Sequence, residues 1–232
     1  MLFPELRRNE VNSMRASPAF FKGLRRRIFN TRKQKVFVVG FHKTGTSSMG
    51  KALQILGYKV CGLLKEGFDF EQSEKDPREY ILEKGKPLLN EYEAFQDTPW
   101  FLFYEELYEM YPDAYFILTT RNSNKWLASL QKHFKDKSWP YHEWIYGTLD
   151  SLNHGEVYLK RYEVHNKAVR EFFHNKPNFI EYKLEEDGWE KLAGFLKIKV
   201  PKTEYPHANQ AALKGKFYYK LKLALVKFYY KK

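Results

Sequence analysis

The sequence predicts an α/β domain: a parallel sheet with helices on both faces. Three observations lead there. Residues 36–39 are an apolar, largely β-branched run that enters a turn at Gly40. A short polar loop follows, then Met49, Ala52, Leu53 and Leu56 at helical spacing, with Gly57 placed to end the helix. A second apolar run, 114–120, ends at Arg121 and gives way to another helical pattern carrying Trp126, Leu127 and Leu130. Strand-like and helix-like segments then keep alternating to about residue 196, the pattern of a parallel sheet covered on both sides.

The remaining elements follow in order. Residues 1–35 form a basic extension in which FFKGLRRRIF is a weakly amphipathic helix. A short strand is expected at 58–61, and helix plus loop over the charged stretch 63–86. A strand at 93–96 leads into Asp97-Thr98-Pro99. Pro99 suits a first helical position with Thr98 as its cap. Trp100, Phe103, Tyr104, Leu107, Tyr108 and Tyr111 make the apolar stripe of that helix. Trp139, Tyr141, Trp144 and Tyr146 are expected over a ligand cleft. A long helix spans 156–173, a strand 178–184 and a short helix 189–196. His165 falls on the apolar stripe of the long helix, which makes it a core histidine. The expected organisation is thus an extension at 1–35, one domain at 36–204, and a basic aromatic segment at 205–232.

The loop after the first strand carries the chemistry. Backbone N–H groups at a helix start attract anions. A nucleotide-kinase phosphate loop reads G-x-x-x-x-G-K-[ST]. Gly40 and Gly45 keep that spacing, but Thr46 stands in the lysine's place and the loop's lysine is Lys43. The resulting G-x-x-K-T-G-T-S-S resembles the 5′-phosphosulfate loop of sulfotransferases that use 3′-phosphoadenosine 5′-phosphosulfate (PAPS). Arg121 and Ser129 are eight apart, similar to the element with which that family holds the 3′-phosphate. Ligands of open α/β sheets bind beyond the carboxyl ends of strands, where Arg121 would project, and a guanidinium offers phosphate a planar fork. The resemblance runs through AFQDTPWFLFYEELYEMYPDAYFILTTRNSNKWLASL and on to YEVHNKAVREFF and DGWEKLAGFLKIKVPKTEYPHAN, about residues 35–210.

That resemblance implies a P-loop NTPase-like parallel sheet flanked by helices, the sulfotransferase fold. It also implies PAPS as co-substrate, with no metal expected. Lys43, Thr44, Gly45, Thr46, Ser47 and Ser48, with Arg121 and Ser129, would form the donor site. Lys43 would stabilise charge on the bridging oxygen of the leaving group, as an oxyanion donor does. Two bases are candidates for the acceptor hydroxyl: Asp97, at a strand end where cytosolic sulfotransferases carry a histidine, and His42 beside Lys43. Asp97 is the first choice, since partial burial can raise a carboxylate into a useful range, although a capping role for it is nearly as well founded. His207, in YPHAN, matches a family element near the chain end. The family's Arg-Lys-Gly element has no clear copy; Lys214-Gly215-Lys216 is a poor match. The expected acceptor is a small molecule or carbohydrate, held by residues from 63–86 and 138–154.

Composition sets the remaining bounds. The length and 43% apolar content suit one domain with a core. Cys61 is the single cysteine, and no apolar run reaches a membrane span, so a cytoplasmic enzyme is expected. The net charge of +12 is concentrated at the ends: +8 over 1–35 and +7 over 205–232, which leaves −3 for 36–204. The C-terminal lysines interleaved with aromatics suit either a helix packed on the domain or peripheral contact with an anionic membrane; no nucleic acid is expected. The alternatives to sulfuryl transfer are an ATP-dependent P-loop kinase and a non-catalytic nucleotide- or lipid-binding protein.

Overall fold

The computed structural model describes residues 34–134, 139 and 141–207. Most of the two basic ends therefore lies outside the described residues, including the 214–216 stretch. Five strands form one sheet: β1 (Val36–Val38), β2 (Val60–Cys61), β3 (Ala94–Phe95), β4 (Tyr115–Thr120) and β5 (Phe179–Lys183). Their order is β2-β3-β1-β4-β5, and every pairing is parallel. Val36 registers with Ala94 on one side and Tyr115 on the other. The carboxyl ends of β3, β1 and β4 therefore stand side by side. Asp97, the Gly40–Gly45 loop and Arg121 follow those three ends in that order.

Side-chain alternation assigns the two faces of the sheet. Phe37, Val39, Phe95, Phe116 and Leu118 point into one core, which the helices α3 (Tyr104–Met110), α4 (Ser123–Phe134) and α6 (Gly155–Phe172) fill with Leu107, Trp126, Leu130, Tyr162 and Val169. Val36, Val38, Ala94 and Ile117 point into the other. There α1 (Thr46–Ile55) contributes Met49, Ala52 and Leu53, and α7 (Trp189–Phe195) contributes Trp189 and Leu192. Each fully buried side chain of this size is worth about 1.5–3 kcal/mol of transfer from water. The alternation is thus held energetically, because a one-residue slip would expose both sets.

Two helices differ from the sequence expectation in instructive ways. Within 63–86 lies the start of α2 (Pro77–Glu91), where Asp76 accepts hydrogen bonds from the Arg78 and Glu79 N–H groups and Pro77 opens the first turn. Residues 99–111 do not form one helix capped by Thr98. They form a 3₁₀ segment, Trp100–Phe103, followed by α3, and no side chain caps either. The Thr98–Pro99 peptide is cis, and the Thr98 hydroxyl turns toward His42 instead. The tight segment tucks Trp100 under β3, where its indole N–H donates to the Gly62 carbonyl at 2.8 Å. Helix α5 (His142–Tyr146) completes the order. No described helix is long and apolar enough to cross a membrane.

Candidate active site

The loop between β1 and α1 is fixed from below before it can hold anything above. Gly40 lies against β4: a Cβ there would stand 2.2 Å from the Thr119 carbonyl oxygen. His165 on α6 reaches the Val39 carbonyl with Nε2 at 2.8 Å. Burial lowers the His165 pKa to about 3, so the ring is neutral and donates N–H there. The Thr44 hydroxyl donates to the Phe41 carbonyl and meets the Thr119 hydroxyl at 2.7 Å. Thr44 is therefore a buried brace tying the loop to β4. Lys43 and Gly45 take left-handed backbone angles, with φ of 67° and 90°. Those two turns aim the loop at the start of α1. Thr46 and Ser47 open that helix, where N–H groups have no carbonyl one turn earlier. The Ser48 N–H already donates to the Gly45 carbonyl at 2.9 Å. The Ser47 side chain faces solvent, and those of Thr46 and Ser48 are buried.

One cavity of about 130 Å³ brings Lys43, Gly45, Thr46 and Ser47 together with His42 and Asp97. Leu63, Thr98, His133, Phe134 and Trp139 form the rest of its wall. The half-buried Asp97 has φ of 76°, and its Oδ1 accepts from the Thr98 N–H at 2.9 Å. Burial raises its carboxyl above the usual range, while the Thr98 N–H and the Lys43 ammonium pull it down. His42 is held on both sides: Nδ1 meets the Thr98 hydroxyl at 2.9 Å and Nε2 the Tyr146 hydroxyl at 2.8 Å. Burial, then the neighbouring His142, Lys43 and His133, keep its pKa well below that of an ordinary histidine. Its two nitrogens are thus engaged in holding Thr98 and Tyr146. Of the four aromatics expected over a cleft, Trp139 lines this cavity, while Tyr141 and Tyr146 are buried in the core.

Arg121 lines a second, larger cavity of about 360 Å³ with Ser123, Asn166, Arg170 and Lys183. The Tyr162 hydroxyl clasps its backbone, accepting from the Arg121 N–H at 3.0 Å and donating to its carbonyl at 2.9 Å. The Arg121 side chain pairs with Glu185, Nε to Oε1 at 3.1 Å, and Lys125 approaches the same oxygen at 3.6 Å. The buried Asn166 amide oxygen has no hydrogen-bond partner. The end of β5 stands between the two cavities: Leu184 packs against Gly45 of the first, and its neighbours Lys183 and Glu185 line the second. Ser129 is half-buried two turns along α4 from the arginine and lines neither cavity. Among the described residues, no three His, Cys, Asp or Glu side chains are arranged to hold a metal ion.

Comparison with known proteins now decides the family. A family model described as "Sulfotransferase domain" matches residues 35–213. The chain belongs to the sulfotransferase family. It is 30% identical over 209 residues to "Ava biosynthesis cluster protein M" of Aspergillus versicolor, covering 75% of this chain and 80% of that protein. The crystal structure of a sulfotransferase from Alicyclobacillus acidocaldarius has a similar fold, with a TM-score of 0.50 at 14% identity over 84% of this chain and 92% of that one. The parallel sheet with helices on both faces is the sulfotransferase fold expected from the sequence.

The sulfotransferase has supporting residues that sequence reading did not find. Trp126 stacks on Tyr162 with ring centroids 4.3 Å apart and donates its indole N–H to the His42 carbonyl at 2.8 Å. It thereby couples the phosphate loop to the Arg121 turn. Trp126 and Tyr162 look like ordinary stripe residues in sequence, and nothing in their spacing distinguishes them. Tyr146 was expected over the cleft but lies beneath it. Glu185 stands in a charged stretch just past β5, and the fold, not the stretch, pairs it with Arg121.

Proposed function

We propose that this sulfotransferase moves a sulfuryl group from PAPS to a hydroxyl or amine of a small-molecule or carbohydrate acceptor, releasing adenosine 3′,5′-bisphosphate. The observation that carries the reading is Lys43 and Asp97 lining one cavity at the start of α1. The bond from sulfur to the bridging phosphate oxygen breaks as the acceptor oxygen bonds to sulfur. The ammonium of Lys43 meets the charge left on the bridging oxygen, and Asp97 takes the acceptor's proton. Fixed partners held in line supply most of the catalysis, as in phosphoryl transfer.

The residues present fit such a donor. The early N–H groups of α1 and the side chains of Thr46 and Ser47 suit the 5′-phosphate. The larger cavity offers Arg121 to the 3′-phosphate, with Arg170 and Lys183 beside it paired to Glu181 and Glu186, and room for the nucleoside beside Tyr162 and Asn166. The unpartnered Asn166 amide oxygen suits a donor N–H such as an adenine amino group. Asp97 serves as the base, because both ring nitrogens of His42 are already engaged.

Thermal unfolding with ligand tests this reading. Adenosine 3′,5′-bisphosphate at 100 times its dissociation constant should stabilise by about 2.7 kcal/mol. ATP should give no such shift, and Arg121→Ala should lose the difference. Absence of a shift with the bisphosphate, or an equal one in Arg121→Ala, would overturn the site. Transfer of labelled sulfate from PAPS to an acceptor panel then separates an enzyme from a non-catalytic binder.

A further inference from the structure

We propose that Tyr146 is a positioning residue for Asp97, acting through a hydrogen-bond chain that runs Tyr146–His42–Thr98–Asp97. The inference rests on the reading of Asp97 as the base and adds residues to it. The links are 2.8 Å from the Tyr146 hydroxyl to His42 Nε2, 2.9 Å from His42 Nδ1 to the Thr98 hydroxyl, and 3.5 Å from that hydroxyl to Asp97 Oδ1. The members come from α5, the phosphate loop and the turn after β3. The chain therefore ties three separate segments to one carboxylate.

Its direction follows from charge. An ionised carboxylate only accepts hydrogen bonds. The Thr98 hydroxyl donates to Asp97 in this chain, so it accepts from His42 Nδ1–H. In a neutral ring that leaves Nε2 as the acceptor, and the Tyr146 O–H donates to it. The Tyr146 ring is held for this by Tyr158, stacked at 4.0 Å.

The charged and titratable groups around the chain come from every element packed on it. Lys43 lies beside Asp97 and His42. His142 of α5 stacks on His42 at 5.3 Å, and His133 of α4 is also close. Arg161 and Tyr158 of α6 face Tyr146. Those near His42 are cationic or potentially so, and they disfavour a charged His42 ring. A neutral ring has one donor and one acceptor nitrogen; Thr98 takes the donor, Nδ1, and the Tyr146 hydroxyl partners the acceptor, Nε2, and holds the ring in place.

Removal of that hydroxyl leaves Nε2 buried without its partner and the ring without its anchor on that side. A ring that shifts loosens Nδ1–H from Thr98, and Asp97 would lose the hydroxyl's hydrogen bond while keeping that of the Thr98 N–H. The carboxylate would be less well held and would bind a proton more readily.

The test uses the full chain, with ¹⁵N shifts of the His42 ring and ¹³C titration of the Asp97 carboxyl. The wild type should show His42 protonated at Nδ1 at pH 8. Tyr146→Phe and Thr98→Val should both move the Asp97 titration upward, and Thr98→Ser, which keeps the hydroxyl, should restore it. The Thr98 pair keeps the test decisive if Tyr146→Phe does not fold. A wild-type ring protonated at Nε2, or an Asp97 titration unmoved by either Tyr146→Phe or Thr98→Val, would overturn the chain. Adenosine 3′,5′-bisphosphate binding, measured by calorimetry on the same samples, reports on the donor site separately. Loss there would sink the PAPS reading and leave the NMR result standing.

Discussion

Mild acid should destabilise this protein, because three neutral imidazoles are buried around the loop that follows β1. His42, His142 and His165 are 3%, 2% and 3% exposed. Burial holds the His142 pKa at about 4 and that of His165 at about 3, and His42 is shifted in the same direction. In the unfolded chain each would titrate near 6.5. Their folded values lie below the unfolded ones, so the unfolded chain binds more protons between them. The stability is whole above about pH 6.5 and is lost as pH falls from there through the folded values. At pH 5, His142 and His165 each cost about 2 kcal/mol, the linkage integral from 6.5 down. Together that is roughly 4 kcal/mol against a typical total of about 5–15. His42 adds to the loss. Asp97 works the other way, since its folded pKa is raised and the folded form takes up its proton first. Urea unfolding at pH 7 and pH 5 measures the sum, provided the slope m stays constant. His142→Phe should remove about 2 kcal/mol of the pH dependence. A wild-type loss under about 1 kcal/mol between those two pH values would mean that these rings are hydrated or charged in the fold, and the reasoning would fail.

Three further outcomes follow from the geometry. Lys43→Ala should slow labelled sulfuryl transfer by about 10²–10³-fold, the effect of losing one oxyanion donor; a loss below about tenfold would deny it the leaving-group role. Gly40→Ala would drive a Cβ to 2.2 Å from the Thr119 carbonyl oxygen, so β1 and β4 must part at a cost of about 1–3 kcal/mol. Calorimetry should show melting several degrees lower, and an unchanged midpoint would place the loop elsewhere. Glu185→Gln removes the anion paired with Arg121 and Lys125. Partly exposed pairs of this kind are worth about 0.2–1 kcal/mol, so adenosine 3′,5′-bisphosphate should bind up to about fivefold tighter at low salt. Unchanged or weaker binding would show that the phosphate does not compete with Glu185.

The local signals in this chain are strong where one segment carries both pattern and chemistry. The run from Val36 through Leu53 shows strand, turn and helix within eighteen residues, because β-branched residues, glycines and apolar periodicity each act over short range. Arg121 is visible for the same reason, at the tip of six apolar or threonine residues in β4. The 99–111 segment misleads, since its helical stripe is real but the turn before it is decided by contacts of Thr98 and Trp100 with distant residues. Ser129 keeps the expected spacing from Arg121, yet α4 begins at Ser123 and winds it away from the arginine's cavity.

Sequence alone determined the parallel α/β fold, the glycine loop with its displaced lysine, and the strand ends at which Asp97 and Arg121 stand. These are properties of short segments and of apolar period, and they survive without knowing what packs on what. Only the tertiary structure decided which side chains are free to act. Residues 104 apart in the chain, His42 and Tyr146, share a hydrogen bond, and that contact occupies the ring's Nε2. The reason is physical: a polar group's role depends on whether burial has already assigned its partners, and burial is set by the whole fold.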